Sequence, residues 1–171
     1  MDTIFTLTVT FLFGPACGIL SAILATAINV MATGKPAAYM LYALCSISAV
    51  HLTDYFKRHF IEDSSYSSEP FINSITSLLL LGVIMCAIVS ILGGLIAMFI
   101  HSVALQKLSS PEDDFKLGLL LNNVPLALSE IMGRLPINIV ERIFSVFSAY
   151  GFASLGKRLF HRYNGGKIQV L

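Results

Sequence analysis

Glu141 and Arg142 are the residues in this chain most able to do chemistry, because they stand side by side in an apolar stretch where ionised groups are costly. Charges at membrane depth pair with one another or face an interior recess. They therefore mark either a network that fixes helix register or a site for a polar solute. Asn138, Glu141, Ser145 and Ser148 share one helical face by their spacing of three and four residues. Glu130 and Arg134, one turn apart, close the preceding apolar stretch. Two antiparallel helices joined at 134–136 would gather these two acids and two bases beneath the outer membrane boundary. Asn73 and Thr76, opening a third helix, and Thr3, Thr6 and Thr10, opening the first, are expected at the same level, lining the recess. Asn122 and Asn123 lie deeper beside Pro125, where an amide satisfies backbone groups freed by a kink.

Other chemistry finds little footing. His51 and His101 stand singly in apolar surroundings, with no second ligand at a helical spacing suited to a metal. Cys17, Cys45 and Cys86 are far apart and read as small packing residues. No phosphate-binding G-x-x-x-x-G-K-[ST] loop, G-x-S-x-G elbow or H-E-x-x-H pair occurs. The expectation is a protein that is not an enzyme and holds no resident cofactor or metal.

The elements that must position these residues follow from composition. Of 171 residues 56% are hydrophobic and only 12% charged, with mean hydropathy +0.79, whereas soluble domains carry about 25% charged residues. Thr3 to Thr33, Pro70 to Gln106 and Leu117 to Ser129 contain no charge at all. Roughly 20 apolar residues cross a bilayer as a helix. The sequence predicts an all-α polytopic membrane bundle of about five spans, one integral domain over 1–171. Its helices are expected at about 4–31, 37–55, 71–105, 113–132 and 136–161, with an external polar loop over 57–70. Pro125 should kink its helix, and Pro15 bends or starts the regular helix there. Asp2 stands where a signal peptide would be basic, so the first segment is expected to remain in the mature protein.

Lys35, Lys107, Lys116 and the basic tail fall on one side of five spans, with Lys57, Arg58 and Arg134 on the other. The richer side is cytoplasmic by the positive-inside tendency, which puts the C-terminus inside and the 57–70 loop outside. The uneven charge thus speaks to orientation in a bacterial plasma membrane rather than to nucleic acid. An odd span count with an external start invites one more helix before Met1.

Gly14, Gly18, Ala22 and Ala25, with Asn29 beyond them, make one face of the first helix nearly smooth. Smooth faces let membrane helices approach closely. The face serves either packing within the chain or docking of a partner subunit through Gly14, Gly18 and Ala22.

Asp2-Thr3-Ile4-Phe5-Thr6, Phe13-Gly14-Pro15 with Gly18, and Leu135-Pro136-Ile137-Asn138-Ile139-Val140-Glu141-Arg142 leading to Ser145-Val146-Phe147 and Ala149-Tyr150-Gly151 resemble substrate-binding S components of energy-coupling factor (ECF) transporters. The likeness is nearest to S components without an assigned substrate. It covers most of the chain in hydropathy and is specific at its two ends. It implies a membrane subunit that captures a vitamin or similar micronutrient from outside. Such a subunit works with a membrane coupling subunit and cytoplasmic ATPases. The family's six helices exceed the five expected here, so the fold would lack its first helix, which bears the family's A-x-x-x-A docking surface. The chain has no Trp and no N-terminal Met-His pattern, which turns expectation away from nickel and cobalt. A polar or zwitterionic solute suits Glu130, Arg134, Glu141 and Arg142. The rival expectations are a membrane sensor or input module and a structural membrane subunit without a transported solute.

Overall fold

A computed structural model describes residues 2–61, 70–104 and 117–163 and is helical throughout, with no strand among the described residues. The helices are α1 (Asp2–Phe13), α2 (Pro15–Thr33), α3 (Ala43–Phe56), α4 (Pro70–Ala104) and α5 (Leu126–Tyr163). A 3-10 turn, Ala37–Tyr42, leads into α3, and a π-turn, Lys57–Ile61, leads out of it. By length and composition two segments can cross a membrane, Pro15–Thr33 and Ser74–Ile100.

The segment expected as one helix over 4–31 is two, folded back on each other at Gly14. Pro15 lacks an N–H, and its ring excludes helical geometry in the residue before it. Gly14 takes φ 87°, ψ −179°, a conformation open essentially to glycine alone, and Pro15 opens α2 at its first turn. The reversal is tight enough that a methyl group on Gly18 would collide with Thr10 Oγ1 and lie 3.0 Å from Val50 Cγ1. Gly14→Ala should therefore cost about 1 kcal/mol of stability, seen as a lower midpoint in thermal unfolding; an unchanged midpoint would show that the turn is not strained.

One side of α1 is enclosed by its neighbours. Leu7 and Thr10 are fully buried and Phe11 nearly so, with Tyr150 of α5 set edge-on to the Phe11 ring at 5.8 Å. Its hydroxyls satisfy themselves on the preceding turn: Thr8 Oγ1 donates to Ile4 O and Thr10 Oγ1 to Thr6 O, both at 2.7 Å. That local bond is how threonine enters an apolar interior without an unmet donor.

The two longest helices, α4 with 35 residues and α5 with 38, run antiparallel. Gly82 lies against Ile143 at one end of their contact and Gly94 against Ile131 at the other. Gly82, Cys86, Ser90 and Gly94 recur every fourth residue on α4, a small-residue face that admits the backbone of α5. The repeat is legible in the sequence as small residues at every fourth position. α3 begins with Cys45 beside Gly93 and runs against α4 toward Phe56 and Ile61, which join Leu78, Leu81 and Met85 in the core.

Four further expectations need correction. The helices at 113–132 and 136–161 are replaced by a short helical segment over 117–121 and the single α5, which continues through Pro136. Pro125 precedes α5 instead of kinking a span, with Ser129 N–H donating to Pro125 O at 2.9 Å and Asn123 in a left-handed turn at φ 61°. The contacts of α5 with α4 on both sides of Pro136, at Ile131 and Ile143, hold its axis continuous where the proline alone would break it. One helix in place of two also changes which helix ends lie together. Lys57 and Arg58, expected opposite the basic tail, stand at the same end of the molecule as Lys157 and Arg158. Finally, 57–61 of the expected loop are helical, while 62–69 lie outside the described residues, as do 113–116.

Candidate functional site

α5 carries a polar line. Glu130, Arg134, Asn138, Arg142 and Ser145 succeed one another at steps of four, four, four and three, so they share one face. That face is turned inward: Glu130 keeps 4% of its surface exposed and Ser145 1%.

α1, α4 and the turn leading into α3 each contribute a partner to it. Arg134 Nη2 donates to the Tyr42 hydroxyl at 3.2 Å, and its guanidinium sits 5.6 Å from the Tyr42 ring centre. Tyr42 belongs to the turn leading into α3. Asn138 Nδ2 donates to Ser90 Oγ of α4 at 2.9 Å. Arg142 Nη1 donates to Thr3 Oγ1 of α1 at 2.5 Å. Neither Tyr42 nor Ser90 was anticipated as a partner. Ser90 sits on the four-residue repeat of α4 and could have been found there, whereas nothing local distinguishes Tyr42 from its neighbours.

Glu141 and Arg142 part company although they are adjacent, since consecutive helical residues point about 100° apart. The Arg142 side chain is 13% exposed and Glu141 39%, with Arg142 Nη2 3.7 Å from Glu141 Oε1. The arginine is thus drawn toward Thr3 while the carboxylate stays at the rim. Arg142 Nε is buried with no hydrogen-bond partner among the described residues. A charged donor in that state is costly, and an acceptor brought to it gains correspondingly.

The expected gathering of four charges at one level does not occur. Glu130 and Arg142 are twelve residues apart on one helix, or about 18 Å. Arg134 lies against Gly93, and Arg142 next to Ile143, which packs on Gly82. Because α4 is antiparallel to α5, the start of α4 lies beyond Arg142, away from Glu130 and Arg134. Thr76 is exposed there, and the side chain of Asn73 is outside the described residues. Thr6 is buried among the helices at 2% exposure. Asn122 Nδ2 bonds Gly118 O at 2.8 Å, closing the 117–121 segment rather than repairing a kink.

The smooth face of the first helix is spent inside the molecule. Gly18 abuts Thr10 and Val50, and Ala22 is 1% exposed. Of the three positions offered for partner docking, only Gly14 has open space, at the turn.

No family model, curated protein or solved structure matches the chain. The roles of these residues accordingly rest on their geometry.

Proposed function

We propose that the protein is a membrane-embedded binding subunit for a small polar solute, of the kind that S components of ECF transporters represent. In this reading it delivers a vitamin or similar micronutrient in concert with a coupling subunit and ATPases. The observation that carries the reading is the Glu141–Arg142 step. A half-exposed carboxylate, a largely enclosed guanidinium and its unmet Nε donor stand together near the middle of α5. A solute carboxylate would take the free Nε position, and a solute amine would meet Glu141.

The bilayer part of the proposal is supported by the surface. α2 is only 11% buried, unlike the core helix of a soluble domain, and exposes Leu20, Ile23, Leu24, Ile28 and Met31. α5 likewise exposes Val140, Phe144, Phe152 and Leu155. Apolar surface of that extent on a water-soluble monomer would be an aggregation liability. In lipid it is matched to its solvent, and close packing and polar contacts then decide how helices associate. In this reading α2 and α4, the two helices long and apolar enough to cross, span the bilayer, and the other helices pack beside them.

The test is direct. Protein purified with native lipid should release a small molecule identifiable by mass spectrometry, and Glu141→Gln and Arg142→Met should each reduce its retention at least tenfold, as loss of a charged hydrogen bond of about 1.5–3 kcal/mol implies. Retention unchanged in both variants would dismiss the site.

A second reading is favoured by the three bonds from α5 to Thr3, Tyr42 and Ser90. In it the polar line only aligns helices. No molecule would then be recovered, and the same variants would lower stability alone.

A further inference from the structure

We infer that the end of the molecule where α3 and α5 finish is a docking surface for the phosphate headgroups of anionic lipid, and therefore faces the cytoplasm. The inference rests on the bilayer reading above. α3 and α5 both run against α4, so their last turns lie at one end, together with the Gly14 turn, where Gly156 meets Leu12. Arg58, His59, Lys157 and Arg158 are exposed there. Lys57 stands in the same π-turn as Arg58, and Asp54 is the acid beside them. Among the described residues, the opposite end carries Lys35 in the turn after α2.

Charge alone would suit any polyanion, but the aromatic residues beside it select a membrane surface. Tyr55, Phe60 and Phe160 are exposed by 54%, 41% and 56%. Tyr55 packs against the His59 ring at 4.6 Å, and Phe56 stacks on Phe60 at 4.9 Å across the π-turn. The amphipathic Tyr55 ring beside a layer of cations suits the headgroup boundary, where tyrosine is enriched, and the two phenylalanines add apolar surface beneath it. Asp54 holds Arg58 at 3.0 Å and leaves its side chain 61% exposed, so the guanidinium keeps donors for a phosphate. Basic residues near an anionic leaflet each strengthen attraction about fivefold. The corollary for orientation reverses the sequence expectation for 57–61: that turn joins the end of α5 inside, and Lys35 faces outside.

Two measurements test this. In nanodiscs of phosphatidylcholine, adding phosphatidylglycerol should raise the unfolding midpoint of the intact protein. The combined variant K57Q, R58Q, K157Q and R158Q should lose that shift. A shift that persists in the variant, or one that inorganic phosphate reproduces without phosphatidylglycerol, would overturn the inference. In bacterial cells, a membrane-impermeant maleimide should label Lys35→Cys but neither His59→Cys nor Phe160→Cys in a protein otherwise free of cysteine. Labelling of His59→Cys from outside overturns this inference alone. Release of the protein from membranes by alkaline carbonate overturns the bilayer reading as well.

Discussion

Gly94→Leu should lower the unfolding midpoint more than any other single change on the small-residue face of α4. A Cβ at this position would lie 2.8 Å from Ile131 Cγ1 and 3.2 Å from both the Cα and the N of the same residue. The side-chain atom can move by a rotamer change. The two backbone atoms cannot, because they belong to a continuous α5 pinned again at Ile143 by Gly82, where an added Cβ would stand 3.2 Å from Ile143 Cγ1. Overpacked cores lose about 1–3 kcal/mol when side chains can adjust, so Gly94→Leu belongs at or above the top of that range. Gly151→Ala is the matched control. It lies in the same pair of helices on an exposed position with nothing within 4 Å of an added Cβ. Removing a helical glycine there should raise stability by up to about 1 kcal/mol. Thermal unfolding of both variants in one detergent checks the pair; a tolerated leucine at 94 would mean that α4 and α5 are further apart than described.

Arg142→Met should also be strongly destabilising, and its cost should be shared with Thr3. The guanidinium donates to Thr3 Oγ1 and stands 3.7 Å from the Glu141 carboxylate. Loss of the charged hydrogen bond removes about 1.5–3 kcal/mol. Methionine recovers part of this, since it fills the space of the alkyl stem and leaves no orphaned Nε. Thr3→Val deletes the acceptor and keeps the shape. In a double-mutant cycle the pair should show a coupling of about 0.6–1.7 kcal/mol, the range for polar contacts between membrane helices. Full additivity would mean that α1 is not held by this bond. The cycle also bears on the two functional readings. If a bound solute uses Arg142, its removal should weaken the solute's retention in Arg142→Met far more than in Thr3→Val, whereas a purely aligning role moves both equally.

Local chemistry made the helices legible. The 71–105 helix stands within a residue of Pro70–Ala104 because its ends are marked by a polar, proline-containing start and a long uncharged interior. The reversal at Gly14-Pro15 has a local cause as well, although the chain folds back there instead of bending gently. Pro136 misled because a proline at the first turn of a helix and one within it look alike in sequence. What separates them is support from α4, brought alongside by contacts some fifty residues away in the chain. The same limit hid the site's arrangement. Asn138 and Ser90 are 48 residues apart, Arg134 and Tyr42 92, and Arg142 and Thr3 139. The residue types flagged the α5 members of those pairs through the cost of burying them. A single sequence holds no signal for which hydroxyl on another helix answers each one.

The three hydroxyls that meet α5 all come earlier in the chain than α5 does. As the nascent polypeptide leaves the ribosome, Thr3, Tyr42 and Ser90 are delivered first, and each waits for a donor not yet made. When α5 emerges it engages α1, the lead-in to α3 and α4 through a single edge. The helix made after these three partners is therefore the one that ties them together, and a chain cut short before residue 134 would forfeit every one of these cross-links at once.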